Sequence, residues 1–166
     1  RRQRQMCIRD SNGPVDNLDL VDNLIGVKSF KNKINFNTYP PLEAQISSIS
    51  DDIAYNNHDI QDGINANLFK LDELIEINFF KEIYKKYKKK INKSNFKIAT
   101  YQIIRDSIDL MIKDLILNTK KNLKYNKIKS YKDINKKSFL IVDFSDKIKN
   151  SEIEITHMHL NDNTIA

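Results

Sequence analysis

The chain has 166 residues, 40% of them hydrophobic and 30% charged, with a net charge of +6. This balance excludes a wholly disordered chain and suits one domain of ordinary size. Cys7 is the single cysteine, so no internal disulfide can form, and no run of about 18 apolar residues suggests a membrane span. We therefore expect a protein of the cytoplasm without membrane contact.

The two ends differ in composition from the rest of the chain. Residues 1–11, RRQRQMCIRDS, are rich in Arg and Gln, whereas Arg105 is the one arginine after them. We predict that this stretch is a leader that is not native to the protein. Residues 156–166 contain His157 and His159, which we interpret as part of a polar terminal tail. The folded region is therefore expected within residues 12–155.

Glycine and proline occur three times each, so few helix breakers are present and an all-α fold is predicted. Residues 17–27 show a short helical pattern closed by Gly26. Pro40 and Pro41 then open a helix, because a missing N–H costs nothing in the first turn. Apolar residues on one face of that helix predict its buried stripe: Leu42, Ile46, Ile49, Ile53 and Ile60.

Two further helices follow in the second half of the chain. Residues 71–91 are amphipathic and predict a single helix with Asp72 as its N-cap. Residues 95–123 predict the longest helix. Residues 138–144, SFLIVDF, suggest a brief extended piece.

An acidic segment, DDIAYNNHDIQDG at residues 51–63, interrupts this lysine-rich chain. No lysine or arginine occurs between Lys33 and Lys70. On a helix with about 100° per residue, Asp51, Tyr55, Asp59 and Asp62 share the side opposite the apolar stripe. A solvated polar face would also produce this pattern. However, carboxylates stacked at helical spacing repel one another unless a cation or a hydroxyl donor relieves them.

The segment does not fit an EF-hand. With Gly63 at the sixth loop position, His58 and Ile60 would occupy ligand positions that need oxygen donors. The dipeptide His58-Asp59 is typical of a metallohydrolase superfamily, but composition does not decide whether it binds metal here.

The segment PLEAQISSISDDIAYNNHDIQDGI resembles the hallmark of bacterial deoxyguanosinetriphosphate triphosphohydrolase-like proteins, of the HD-domain superfamily. SNGP at residues 11–14 is similar to the HNGP element of that family, with Ser11 in place of His. The resemblance extends from about Asn12 to about Phe144. It implies a helical array that combines the last metal-site helix of an HD domain with the carboxy-terminal helices, while residues 156–166 depart from the family.

The resemblance also implies roles for three residues. Asp51 matches the final metal ligand of the family, and Tyr55 and Asp59 match the residues that contact the deoxyribose 3′-hydroxyl. His58-Asp59 is then not the metal pair. The family places its His and His-Asp ligands before HNGP, where this chain has no such segment. We therefore expect a carboxy-terminal fragment, cut at both ends, inactive by itself and without an assignable catalytic residue.

The implied reaction is hydrolysis of a dNTP to deoxynucleoside and tripolyphosphate. The implied cofactor is a divalent metal such as Mn, Mg or Fe, and the full-length enzyme is expected to form a homo-oligomer. Lys97 and Arg105 are candidate phosphate ligands.

Two other functions remain open from the sequence. One is weak nucleic-acid binding by a basic helical module, in which aromatic rings alternate with cations: Tyr84, Lys85, Lys86, Tyr87, Lys88, Lys89 and Lys90. The other is a structural oligomerisation module. Only the enzyme interpretation requires Asp51, Tyr55 and Asp59 together on one face.

Overall fold

The computed structural model describes residues 38–92 and 94–151. The described residues form five helices and a last helical stretch over residues 146–151, and they contain no β-strand, which confirms the predicted all-α class. The helices are α1 (Leu42–Asn65), α2 (Leu71–Leu74), α3 (Asn78–Tyr84), α4 (Phe96–Tyr125) and α5 (Tyr131–Ile134). The leader at 1–11, the pattern at 17–27 and the tail at 156–166 lie outside the described residues.

Helix α1 begins directly after the two prolines, as predicted. The backbone N–H of Gln45 donates to the carbonyl of Pro41 at 3.1 Å, so the first turn starts on a residue that has no N–H to leave unpaired. Ile53 and Ile60 are buried, but Ile46 is 47% exposed, so its predicted place in the buried stripe is wrong. Gln45 is buried instead, because its side chain bonds three backbone groups.

Helix α1 ends where Gly63 lets the chain fold back closely. A Cβ at Gly63 would lie 2.2 Å from a ring carbon of the buried Phe69, which no side chain could tolerate without displacing the ring. Asn67 then adopts φ 56°, and the N–H of Leu68 donates to the carbonyl of Gly63 at 2.9 Å. This left-handed residue is a common way to stop a helix.

The single helix predicted over residues 71–91 is divided into α2, α3 and a run of turns at 85–90. Leu74 and Phe79 are both buried, although five residues on one straight helix would place them about 140° apart. A break between them allows both to enter the core. Asp72 is not the N-cap, because Lys70 precedes the first residue of α2 and Asp72 lies within the first turn.

The chain forms two compact units. Within the described residues, the first unit comprises 38–50 and 119–143. A brief extended piece was predicted at residues 138–144, but this segment pairs with no strand. The backbone of its part in the first unit is hydrogen-bonded by side chains instead. The N–H groups of Ile141 and Val142 donate to the side-chain oxygen of Gln45 at 2.9 and 3.0 Å, and the carbonyl of Ile141 accepts from Asn122 at 3.0 Å.

The second unit comprises residues 51–92, 94–118 and 144–151 of the described chain. Its core contains fully buried apolar side chains from all four of its helices α1 to α4: Ile60, Leu74, Phe80, Ile83, Ile103 and Met111. Asp114 accepts hydrogen bonds from both the N–H and the hydroxyl of Ser145, at 2.8 and 2.7 Å. None of the helices in the described part of the chain combines the length and the apolar composition of a membrane span.

Candidate functional site

The three residues predicted to form a site lie on one unbroken helix, in the part of it that belongs to the second unit. Helix α1 continues from Leu42 to Asn65 without interruption at Asp51, Tyr55 or Asp59. All three side chains are exposed, Tyr55 by 46%, whereas Ile53 is 4% exposed on the opposite side. The expected continuous helix is confirmed, and it presents a surface on which two carboxylates flank an aromatic ring.

The opposite side of the same turns is fixed by a buried polar pair that the sequence did not reveal. The amide nitrogen of Asn57 donates to the carbonyl of Ile53 at 2.7 Å and contacts the sulfur of Met111 at 3.7 Å. The amide oxygen of Asn57 accepts from the hydroxyl of Ser107 at 2.6 Å. Asn57 and Ser107 are 1% and 0% exposed, so this pair sets how helix α1 is rotated against α4.

The end of α1 is joined to α4 by a second, more exposed contact. The hydroxyl of Tyr101 donates to the side-chain oxygen of Asn65 at 3.1 Å. The amine of Lys97 lies 5.8 Å from the centre of the Tyr101 ring, within the range of a cation–π contact. Lys97 and Arg105, the candidate phosphate ligands, are both exposed on α4.

The acidic face provides a single predicted metal ligand, Asp51. Among residues 38–92 and 94–151, no three His, Cys, Asp or Glu side chains are grouped closely enough to hold a metal ion. His58 is exposed on the same helix. A carboxylate can supply one ligand to Mn, Mg or Fe, so the residues present fit part of a metal site. A metal bound by Asp51 would need its other ligands from beyond the described residues.

The lysine-rich stretch at 85–90 is partly engaged in contacts of its own. Lys85 pairs with Glu82, and Lys86 lies 3.4 Å from the carboxylate of Asp106. The hydroxyl of Tyr87 donates to Asp106 at 2.9 Å. Lys88, Lys89 and Lys90 remain exposed. Tyr87 is therefore held in place by its hydroxyl rather than presented freely to a base, and nucleic-acid binding stays a prediction.

The contacts of Asp106 shift two pKa values in opposite directions. Burial raises the pKa of the Tyr87 phenol, and the hydrogen bond to Asp106 raises it further. Burial would also raise the pKa of Asp106, but hydrogen bonds from Tyr87, Gln102 and Lys86 outweigh it and lower the pKa. Asp106 is thus held as a carboxylate that ties residues 86 and 87 to α4.

Sequence comparison shows what this chain is similar to. A protein of Pelagibacter ubique (strain HTCC1062) named deoxyguanosinetriphosphate triphosphohydrolase-like protein is 63% identical over 144 residues, which are 87% of this chain and 39% of the relative. Proteins with the same name in Rickettsia typhi and Rickettsia felis are 35% and 31% identical, over 82% and 91% of this chain. The chain is homologous to the deoxyguanosinetriphosphate triphosphohydrolase-like proteins.

The homology confirms the resemblance carried by the acidic segment. It covers most of this chain, but the chain spans only 39% of the Pelagibacter relative and 35% of the Rickettsia typhi relative. No family model matches the chain, and no solved structure matches it. Roles for Asp51, Tyr55 and Asp59 therefore have to be argued from the structure of this chain, because no solved structure provides a template.

Proposed function

We propose that the chain is part of a metal-dependent dNTP triphosphohydrolase, in which Asp51 is a metal ligand and Tyr55 and Asp59 contact the deoxyribose. The observation that carries the proposal is the lysine-free face of α1, where these three residues are exposed on consecutive turns. The names of the homologous proteins support the same class of reaction and suggest dGTP as one substrate.

The reaction consumes one water and one dNTP. Attack of water on the α-phosphorus breaks its bond to the 5′ oxygen of the sugar, which takes a proton and leaves as deoxynucleoside. Tripolyphosphate is the other product. A bound divalent metal supplies Lewis-acid polarisation of water and phosphate. The carboxylate of Asp51 would provide one oxygen ligand, with the remaining ligands from other parts of a longer protein.

Tyr55 and Asp59 are proposed to position the sugar. An ionised carboxylate only accepts hydrogen bonds, so Asp59 suits a 3′-hydroxyl donor. Tyr55 offers an apolar ring to the sugar face and a hydroxyl to its oxygens. The absence of Lys and Arg between Lys33 and Lys70 favours this role, because a nearby ammonium group would pair with Asp59 and compete with the metal for Asp51.

The test uses the full-length protein that contains this chain, with manganese and a mixture of nucleotides. Asp51→Asn is expected to abolish tripolyphosphate release and to weaken manganese binding. Tyr55→Ala is expected to retain manganese and to weaken selection for the sugar, measured as a smaller difference in KM between a dNTP and its 2′,3′-dideoxy analogue. Asp72→Asn is the matched control, because Asp72 is exposed on α2, off the proposed face. Unchanged turnover in Asp51→Asn would refute the proposal.

A further inference from the structure

The helix that presents Tyr55 and Asp59 is joined to α4 by a buried hydrogen bond directly behind them. Asn57 lies two residues from each, so at about 100° per residue its side chain leaves α1 about 160° away from theirs. Along the helix axis it is about 3 Å from each, at about 1.5 Å per residue. Asn57 and its partner Ser107 are therefore level with the two residues proposed to contact the sugar.

The orientation of the Asn57 amide group is fixed on both of its sides. Its nitrogen donates to the carbonyl of Ile53 at 2.7 Å, so its oxygen faces α4, where the hydroxyl of Ser107 donates to it at 2.6 Å. The Ser107 oxygen also lies 2.6 Å from the carbonyl of Ile104, which holds the hydroxyl against the backbone of α4. Asn57 and Ser107 are 1% and 0% exposed, so water does not compete for their hydrogen bond.

A hydrogen bond restrains the rotation of α1 in a way that its apolar contacts do not. Apolar burial is non-directional, so the buried Ile53 and Ile60 would tolerate a small rotation of the helix. A hydrogen bond favours an angle above about 150° and weakens steeply below about 120°. Side chains at a helix surface lie about 5–6 Å from its axis, so a rotation of about 10° moves them by about 1 Å. Misplacement by about 1 Å can cost about a hundredfold in rate.

A second contact, at the end of α1, shows in which direction the two helices pass each other. The hydroxyl of Tyr101 donates to the side chain of Asn65 at 3.1 Å. Asn65 follows Asn57 on α1, whereas its partner precedes Ser107 on α4, so the two helices run antiparallel along this stretch. Asn65 is exposed, so water can replace its hydrogen bond. The buried pair is therefore the stronger restraint on α1.

We propose that Ser107 is a positioning residue for sugar recognition. Through its hydrogen bond to Asn57, it holds α1 at the rotation that presents Tyr55 and Asp59 to the deoxyribose. This inference rests on the proposed function and adds to it a residue of another helix, 50 residues further along the chain than its partner. Loss of the Ser107 hydroxyl should therefore impair reading of the 3′-hydroxyl, in addition to any loss of stability.

The test compares KM for a dNTP with KM for its 2′,3′-dideoxy analogue, in the full-length protein with manganese. Ser107→Ala is expected to lower the ratio of the analogue KM to the dNTP KM by roughly fivefold or more, because a hydrogen bond to the sugar depends on distance and angle. Ile83→Val is the matched control, since it removes a buried methyl group from α3 and leaves the polar pair intact. Urea midpoints show how far each variant is destabilised. A purely structural role would lower the amount of active enzyme and leave the KM ratio unchanged.

A second variant shows whether Ser107 acts through the proposed sugar contacts. Asp59→Ala should lower the KM ratio by itself. Ser107→Ala added to Asp59→Ala should then have a smaller effect than in the unmodified protein, because the contact that Ser107 positions is already lost. If Ser107→Ala does not fold, Ser107→Cys replaces it, since a thiol is close to the hydroxyl in size and is a weak donor.

The outcomes separate this inference from the proposed function. A lowered KM ratio in Asp59→Ala with an unchanged ratio in the folded Ser107 variant would overturn the inference alone. An equal fall of the ratio in Ile83→Val would overturn it as well, because the effect would then follow stability. Full additivity of Ser107→Ala and Asp59→Ala would have the same meaning. An unchanged ratio in Asp59→Ala would refute the sugar contact of the proposed function, and the role of Ser107 with it.

Discussion

At the scale of single residues, the pair Asn57–Ser107 is the most consequential contact beside the proposed site. Both residues are essentially without solvent exposure, and the hydroxyl of Ser107 donates to the amide oxygen of Asn57 at 2.6 Å. Removal of Ser107 leaves the buried amide oxygen of Asn57 without its donor, which costs the desolvation penalty of that oxygen. Removal of Asn57 leaves the Ser107 hydroxyl with the carbonyl of Ile104, at 2.6 Å, as its acceptor. This contact therefore does two things: it stabilises the second unit, and it fixes the rotation of the helix on which Tyr55 and Asp59 are exposed.

We predict that Asn57→Ala and Ser107→Ala each lower the free energy of unfolding by about 1–3 kcal/mol. The double variant should lose less than the sum of the two, because the first change has already removed the hydrogen bond between the two side chains. Urea denaturation of the four proteins measures this coupling. Ser50→Ala is the control, since Ser50 is exposed on the same helix. Strictly additive effects of the two changes would show that the buried hydrogen bond contributes nothing.

The polar contacts of Asp106 predict a pH dependence of stability at both ends of the range. Hydrogen bonding lowers the pKa of Asp106 in the folded state, so its contribution is present above the unfolded pKa and is lost as pH falls through the folded pKa. The pKa of Tyr87 is raised, so its contribution is present below the unfolded pKa of about 10 and is lost as pH rises through the folded pKa.

Midpoints of urea unfolding measured against pH test this expectation. Asp106→Asn should be less stable than the unmodified chain near neutral pH and should lose less stability on acidification. Tyr87→Phe should lose less stability at alkaline pH. Asp72→Asn, at an exposed position, is the control for removal of a carboxylate. Parallel curves for Asp106→Asn and the unmodified chain would contradict the account.

At the scale of elements, the sequence predicted those helices whose apolar residues follow one face. Helix α1 was expected from Pro40 onward, and Ile53 and Ile60 are buried as predicted. Ile46 was misplaced because hydrophobic spacing carries no information about Gln45, whose backbone contacts lie almost a hundred residues away in the chain. The division of residues 71–91 into α2 and α3 was also missed. There the tertiary demand to bury both Leu74 and Phe79 overrides a helical periodicity.

The candidate face was predictable for the same reason, since Asp51, Tyr55 and Asp59 need only local helical geometry to come together. Asn57 was not identified, although it lies between Tyr55 and Asp59 in sequence. Its partner Ser107 is on another helix, and nothing in a single sequence pairs two such distant polar residues. Local periodicity therefore predicted the exposed side of α1. The contacts that fix its buried side against α4 connect residues distant in sequence, so they could not be predicted in this way.

Gln45 links the start of α1 to the non-helical segment of the first unit, and its loss should lower the stability of that unit. Its side chain donates to the carbonyl of Pro40 at 2.8 Å and accepts from the N–H groups of Ile141 and Val142. Gln45→Ala should lower the free energy of unfolding by about 2–4 kcal/mol, because it leaves two buried N–H groups unpaired. Gln45→Glu should retain part of that stability, since its carboxylate still accepts both N–H groups.

Hydrogen exchange locates the effect of the Gln45 variants. The amides of Ile141 and Val142 should exchange much faster in Gln45→Ala, while amides in α3 of the second unit should change little if opening is local. Ser47→Ala is the matched control on α1, because Ser47 is exposed. Unchanged protection at Ile141 and Val142 in Gln45→Ala would contradict the assignment of Gln45 as their acceptor.

At the scale of the whole molecule, the net charge of +6 raises the alternative of nucleic-acid binding. Lys88, Lys89 and Lys90 are exposed, whereas Lys85 and Lys86 already contact acidic groups. We predict weak binding to single-stranded DNA with a logarithmic salt slope of about −2, as for three lysine–phosphate contacts. Fluorescence anisotropy at several salt concentrations measures the slope. Tight, sequence-dependent binding that survives high salt would favour the alternative function.

The central claim is that α1 carries part of a dNTP-hydrolysing site that other segments of a longer protein complete. Tripolyphosphate release, measured with manganese and a dNTP mixture, tests it most directly. This chain alone should release none, because one carboxylate does not hold a catalytic metal, which needs about three protein ligands. The full-length protein should release tripolyphosphate and should lose that activity with Asp51→Asn. Turnover by the chain alone, or full activity in the Asp51→Asn protein, would contradict the account.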